Sequence, residues 1–171
     1  ILASVLMVLA IVTPVSADDT VSNVSSRAEL ETALNDSAIT RIELTDDIDL
    51  SDAEWIGVVV DSGRKLVING NNHTITGLKS YKAAKGPNGS GIAGDGGSCD
   101  YYNGWIAWNE GTLTINDLNF EGAYVDTNPL TTASNSTGSS ILAVVVANNT
   151  GELIYNNVNV NNSEVRGYTK V

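Results

Sequence analysis

The chain has 171 residues and a formal net charge of −11, with 9 Lys and Arg against 20 Asp and Glu. This balance excludes nucleic acid as a partner, because phosphate binding needs clustered Lys and Arg. The single cysteine, Cys99, excludes an internal disulfide, so the fold must be stabilised by packing and backbone pairing.

Residues 1–17, ILASVLMVLAIVTPVSA, form an apolar run that ends in small residues. We interpret this run as a signal peptide whose basic n-region is missing. An uncleaved membrane anchor is the alternative, although a span usually needs ~20 apolar residues. We therefore expect a secreted or cell-surface protein that does not insert into a membrane once the signal is removed.

The next segment, 18–40, is predicted to be an N-terminal cap with a short helix. Ser26 and Glu29 have the spacing of a capping box, and Leu30, Ala33 and Leu34 follow on one face. Such a helix would cover strand edges that are otherwise open.

Short strands are predicted from residue 41 onward, over 41–171. In RIELTDDIDL the side chains expected to point inward are Ile42, Leu44, Ile48 and Leu50, around an acidic turn at Asp46 and Asp47. Because the chain stops at Val171 directly after a repeat, we expect a truncated solenoid whose parent continues with more coils.

A repeat of 21 residues occurs three times, at 58–78, 105–125 and 145–165, and the three copies align without a gap. Alternating apolar and polar residues broken by Asn, Asp and Gly predict strands and turns. The predicted columns are Val58, Trp105 and Val145; Asp61, Trp108 and Asn148; Leu66, Leu113 and Leu153; Ile68, Ile115 and Tyr155; Asn69, Asn116 and Asn156; Asn72, Asn119 and Asn159; His73, Phe120 and Val160; and Leu78, Val125 and Val165.

Stacked copies of such a unit predict an all-β fold, a parallel β-helix solenoid with a short N-terminal capping helix. Like residues would then lie above like residues. The asparagines of two columns would form a structural ladder at the corners, because Asn tolerates left-handed backbone angles and its amide can bond to the next coil. The ladder residues are Asn69, Asn116, Asn156, Asn72, Asn119 and Asn159. In the His73 column the alternative is that Ile75 points inward instead.

The segments IELTDDIDLSDAEWIGVVV and VINGNNHTITGL resemble the leader of bacterial and archaeal surface proteins with GLUG-type repeats. GWIAWNEGTLTINDLNFEGAYV and ILAVVVANNTGELIYNNVNVNNSEV are similar to the repeat itself. The resemblance covers residues 41–165. It implies a right-handed, pectin-lyase-like parallel β-helix in an adhesin-like or structural extracellular protein.

Pectin-degrading lyases and hydrolases are also parallel β-helices, so an enzyme has to be considered. Their chemistry needs paired carboxylates, or carboxylates that hold calcium beside a basic residue. Asp46 and Asp47 are the calcium candidates, although a solvated turn is the favoured interpretation. His73 has no second histidine to work with, and Cys99 lacks a nearby general base. We predict no catalytic residue and no required cofactor.

Ligand binding is predicted near two long loops that leave the repeat at the same column. The candidate residues are Lys79, Lys82, Lys85, Tyr101, Tyr102 and Trp108. Exposed aromatic rings stack on sugars, and Lys attracts acidic groups. The ligand would be a glycan, an anionic polymer or a surface protein. The simpler alternative is a Gly-rich loop whose aromatic residues pack on the coil.

Three functions follow from these patterns. The leading one is a noncatalytic adhesin-like module that displays loops. The second is a polysaccharide lyase or hydrolase whose active site lies in coils beyond residue 171. The third is a structural spacer of a cell wall or surface layer.

Overall fold

The computed structural model describes residues 19–80, 101–126 and 140–167, and the predicted signal peptide lies outside them. Within these ranges the chain is all-β with one helix. No described helix has the length and apolar character needed to cross a bilayer. In chain order the elements are β1 (Val21–Val24), α1 (Arg27–Asn35), β2 (Arg41–Leu44), β3 (Ile48–Asp49), β4 (Val58–Val60), β5 (Lys65–Asn69), β6 (Thr74–Thr76), β7 (Lys79–Ser80), β8 (Tyr101–Asn103), β9 (Ile106–Asn109), β10 (Thr112–Glu121), β11 (Tyr124–Asp126), β12 (Ser140–Leu142), β13 (Val146–Asn149), β14 (Glu152–Asn161) and β15 (Glu164–Arg166).

Helix α1 begins after Ser26, whose hydroxyl accepts a hydrogen bond from the backbone N–H of Glu29. The Glu29 carboxylate accepts from the Ser25 N–H at 2.8 Å, and this bond holds the pKa of Glu29 below its ordinary value. The apolar face of α1 is buried, as the spacing of Leu30, Ala33 and Leu34 predicts.

Every strand pair in the described ranges is parallel, and the strands form four sheets. Sheet one joins β1, β2, β5, β10 and β14 along one half, and β3, β6, β10 and β14 along the other. Sheet two is β4, β9 and β13, sheet three is β7, β11 and β15, and sheet four is β8 and β12. The chain crosses the sheets in four passes, which we number in order: β2–β3, β4–β7, β8–β11 and β12–β15.

The first half of the predicted repeat has the predicted register. Leu113 pairs with Leu66 on one side and Leu153 on the other. The same holds in the Ile115 and Asn116 columns, each with its two predicted partners. The inward side chains predicted in the first pass are also fully buried, namely Ile42, Leu44, Ile48 and Leu50.

The second half of the gap-free alignment holds between the third and fourth passes, where Asn119 pairs with Asn159, but it is wrong by two residues between the second and third passes. Asn119 pairs with Thr74 rather than Asn72, and Phe120 pairs with Ile75 rather than His73. In the predicted column of Leu78, Val125 and Val165, Leu78 is out of register for the same reason, because Val125 pairs with Ser80, whereas Val125 and Val165 pair as predicted. Four residues, 70–73, lie where the third pass has only 117–118, so the corner of the second pass is wider.

A β-bulge shifts the register at the beginning of the repeat, between the second and third passes. Val58 pairs with Ile106 rather than Trp105, and Val59 rather than Asp61 pairs with Trp108. The irregularity lies between Val58 and Val59, where the two strands fall out of step.

One hydrophobic core runs from α1 to the fourth pass. Trp105 is fully buried and lies edge-to-face with Phe120 at 5.2 Å between ring centroids. Trp55 joins this group, because its indole N–H donates to the Trp105 carbonyl at 2.8 Å. The largest fully buried side chains are Trp55, Trp105, Phe120, Leu30, Leu34, Ile42, Leu44, Ile48, Leu50, Leu66, Ile68 and Ile75.

Asparagine amides link successive passes at the corners of sheet one. Asn156 Nδ2 donates to Asn116 Oδ1 at 2.7 Å, and Asn116 Nδ2 donates to Asn69 Oδ1 at 2.8 Å. In the second predicted ladder, Asn159 donates to the side chain of Asn119. Asn119 donates to the backbone carbonyl of Asn72 at 3.0 Å, because the wider corner moves the Asn72 side chain out of register.

Replacing Asn116 with Leu should lower the free energy of unfolding by about 2 kcal/mol, since two net hydrogen bonds of roughly 1 kcal/mol each are lost. Thermal unfolding followed by circular dichroism measures the loss. Asn156→Leu is the matched control, because Asn156 is exposed and makes only one of the two bonds. Equal losses in the two variants would show that the central position of Asn116 in the ladder has no special weight.

Candidate functional site

A small cluster of aromatic and alanine side chains lies apart from the main core, and we call it the aromatic patch. It consists of Tyr102, Ala107, Trp108 and Ala147, from β8, β9 and β13. Tyr102 and Trp108 meet edge-to-face, with their ring centroids 4.5 Å apart and their planes at 66°. Tyr102 is buried, whereas Trp108 is only partly buried. Trp108 is therefore the ring of the patch that a ligand can reach.

The Trp108 ring is held in place from several sides. Its indole N–H donates to the Thr150 hydroxyl at 3.0 Å. Val59 and Asn148 flank it as register partners on neighbouring strands. Tyr102 also packs against the ring. The Trp108 side chain therefore has little conformational freedom left to lose when a ligand binds. An aromatic ring that is already fixed loses less conformational entropy on binding than a mobile one.

The aromatic patch follows directly after the two long connections of the chain. β8 begins at Tyr101 after the connection 81–100, and β12 begins at Ser140 after the connection 127–139. The two strands pair in parallel, with Tyr101 opposite Ser140. The described chain therefore resumes after both gaps in two paired strands, and Tyr102 of the first of them lies against Trp108.

The structure corrects one of the predicted ligand-binding residues. Tyr102 is only 4 % exposed, so neither face of its ring is open to a sugar, and its role is to support Trp108. Lys79 is exposed, but it belongs to sheet three, and its ammonium donates to the Ser51 carbonyl at 3.0 Å. The side chain of Tyr101 and the residues Lys82, Lys85 and Cys99 lie outside the described residues.

The acidic turn of the first pass is engaged in bonds of its own. Asp46 Oδ1 accepts from the Asp47 N–H at 2.8 Å. Asp47 Oδ1 accepts from the Thr74 N–H at 2.7 Å and lies 3.4 Å from His73 Nδ1. In the described part of the chain, no three His, Cys, Asp or Glu side chains are grouped to hold a metal ion. These bonds give both carboxylates a structural role in the turn, and calcium binding there stays a prediction.

Sequence patterns missed the residues that position Trp108. Thr150, Ala107 and Ala147 are small and common residue types, which do not by themselves indicate a ligand site. The 40-residue register correctly places Asn148 beside Trp108, and extending it by two residues would have located Thr150. Tyr102 lies before the aligned repeat, so no column described its surroundings.

Comparison with known proteins yields one family. The model of a pectate lyase-like adhesive domain matches residues 21–169, which is most of the chain. No curated protein and no solved structure matches it. The family match agrees with the pectin-lyase-like, adhesin-type resemblance of the repeats and with the all-β structure. The chain therefore belongs to the family of pectate lyase-like adhesive domains.

Proposed function

We propose that the chain is a segment of a right-handed parallel β-helix that acts as a surface adhesin. In this proposal 18–40 is the cap, 41–171 are coils, and 1–17 directs secretion. The in-register parallel pairing of four passes supports the solenoid. The adhesive family supports a role at the surface. The GLUG-type assignment of the repeats stays a prediction.

The adhesive contact is assigned to Trp108, and its ligand to the class of uncharged glycans. The observation that supports this assignment is that Trp108 is partly exposed and yet held in place by Tyr102 and Thr150. Aromatic rings offer an apolar face of the kind that packs on sugar C–H groups. Asn148 and Thr150, which lie beside the ring, are uncharged and can hydrogen-bond to hydroxyls.

Trp108→Ala should weaken glycan binding about thirtyfold, because a central Trp contact is worth about 2 kcal/mol and each 1.4 kcal/mol is tenfold. A glycan array on the full chain identifies the ligand. Titration calorimetry with that glycan then gives the affinity of each variant. Trp108→Phe should retain part of the affinity, since a ring remains over Tyr102.

The matched control is Tyr155→Ala. It also removes an aromatic ring that is partly exposed, but Tyr155 lies in sheet one, whereas Trp108 lies in sheet two. Its affinity should equal that of the unchanged chain. Equal binding by the Trp108→Ala variant would move the contact elsewhere. No binding to any glycan would favour the structural spacer. Release of unsaturated or reducing sugar from uronate polymers by the full-length parent protein would favour the lyase or hydrolase alternative.

A further inference from the structure

The pattern Asn-x-Ser/Thr, called a sequon, is the acceptor of N-linked glycans, and used sequons lie in surface loops of secreted proteins. The chain contains seven sequons, and five of them lie within the described residues. These five begin at Asn23, Asn35, Asn72, Asn148 and Asn161. The folded structure separates them, because a transferase has to reach both the Asn amide and the hydroxyl two residues later.

Only one of these five asparagines lies in a loop. The other four are within a helix or a strand, namely Asn23 in β1, Asn35 in α1, Asn148 in β13 and Asn161 in β14. Asn72 lies in the wide corner 70–73, between the end of β5 and the beginning of β6. Among the described sequons, the one at Asn72 therefore has the backbone setting that an acceptor needs.

The four sequons in helices and strands are also tied to the fold through their side chains. At three of them the hydroxyl has a partner; the bonds are Ser25 Oγ to Glu29 at 3.1 Å, the Trp108 indole N–H to Thr150 Oγ1 at 3.0 Å, and the Ala123 N–H to Ser163 Oγ at 3.1 Å. At the fourth, Asn35 Nδ2 donates to the Glu31 carbonyl at 2.7 Å. Modification of these sites requires the fold to open locally.

Asn72 takes part in the corner through its backbone. Its N–H donates to the Asp117 carbonyl at 2.8 Å, and its carbonyl accepts from Asn119 Nδ2 at 3.0 Å. The residue is exposed and has a left-handed φ of 66°. Within the described part of the chain, no group bonds to the Asn72 side-chain amide or to the Thr74 hydroxyl. A sugar on Asn72 Nδ2 would thus displace no contact of the ladder.

We propose that Asn72 is the acceptor of an N-linked glycan and that Thr74 supplies the hydroxyl by which the transferase recognises it. The Asn72 nitrogen attacks C1 of the first sugar of a lipid-diphosphate-linked oligosaccharide. The bond from C1 to the phosphate oxygen breaks, the lipid diphosphate leaves with the electron pair, and the nitrogen gives up one proton. In the cell this step rests on the secretion that the proposed function includes, because sequons are used in secreted chains.

The test incubates the folded full chain with a purified oligosaccharyltransferase and a lipid-diphosphate-linked oligosaccharide, and peptide mass spectrometry locates the sugar. Occupancy of Asn72 should exceed that of each other described sequon by about tenfold or more, because those sites must first open locally. Equal or lower occupancy of Asn72 would overturn the proposal. So would a folded chain that stays unmodified at Asn72 under conditions in which the urea-unfolded chain is modified there.

Single variants test the two residues of the site. Asn72→Gln and Thr74→Ala should each abolish modification at this corner, whereas Thr74→Ser should retain part of it, since a hydroxyl remains. The matched control is Thr76→Ala, the same change at the other partly buried threonine of β6, and its occupancy should be unchanged. Modification that survives in Thr74→Ala would contradict recognition through Thr74. Circular dichroism reports whether each variant is folded.

The chain isolated after secretion by its own cells should carry the added mass on the peptide that contains Asn72. A secreted chain without that mass would overturn the modification in the cell. The transferase assay depends neither on export nor on Trp108, so its failure is distinct from a failure of the proposed function. Failure of secretion, or equal glycan binding by Trp108→Ala, would count against the proposed function and leave the acceptor chemistry of Asn72 intact.

Discussion

Replacing Phe120 with Ala should lower the free energy of unfolding by about 3–5 kcal/mol, the usual cost of deleting a fully buried aromatic side chain. Phe120 has no exposed surface and lies edge-to-face with Trp105 at 5.2 Å. Its register partner in the second pass, Ile75, is equally buried. The substitution would therefore leave a cavity in the middle of the core. The neighbouring side chains cannot collapse into it, because β10 is paired with parallel strands on both sides. Urea unfolding followed by tryptophan fluorescence measures the change.

Val160→Ala is the matched control for Phe120→Ala, because Val160 occupies the same column one pass further along. Val160 is 45 % exposed, so its truncation should cost only about 0.5 kcal/mol, as at most surface positions. Similar losses in the two variants would contradict the difference in burial between the third and fourth passes.

The first half of the repeat could be predicted because its columns are set by identical chemistry. Leu66, Leu113 and Leu153 are the same residue in three strands, and stacking them buries them together. In strands of period two, one buried position fixes the faces of its neighbours. Asn69 and Asn116 then fall into the corner as a consequence.

The second half of the second pass could not be predicted in this way, because the side chain that looked equivalent was not the one that set the register. Asn72 matches Asn119 in type, but Asn71 and Asn72 both have left-handed φ, at 52° and 66°. Two consecutive residues of this kind widen the corner of the second pass. Burial of Ile75 against Phe120 then decides the pairing. Side-chain similarity alone does not reveal such an insertion.

The candidate site was predicted only in part for a related reason. Trp108 could be singled out because a large aromatic residue in a column with Asn148 has no packing role in the core. The burial of Tyr102 depends on the bend between β8 and β9, which brings it against Ala107 and Trp108. A bend of this kind has no periodic pattern, so Tyr102 was predicted to be an exposed ligand contact instead of a support.

Replacing Gly111 with Ala should lower the free energy of unfolding by about 3 kcal/mol, at the upper end of the usual cost of overpacking. Gly111 ends the tight turn Asn109–Glu110–Gly111 before β10. A Cβ at Gly111 would overlap the carbonyl oxygen of Arg64 and lie 2.8 Å from that of Asp61. Both are backbone atoms of the second pass, and the Arg64 carbonyl also accepts from the Thr112 N–H at 2.9 Å. The passes would have to separate at this turn, which would weaken the pairing of β5 with β10.

Gly167→Ala separates this steric effect from the general cost of replacing a glycine. The atom nearest to a Cβ there is Leu142 Cδ1, at 3.7 Å, an ordinary van der Waals contact. We expect its midpoint to stay within about 2 °C, while that of Gly111→Ala falls by about 6–12 °C, since each 1 kcal/mol moves a chain of this size by 2–4 °C. Thermal unfolding by circular dichroism makes the comparison. Equal midpoints would show that the backbone of the second pass can move away from the added Cβ. The close stacking of turns would then not explain why position 111 is glycine.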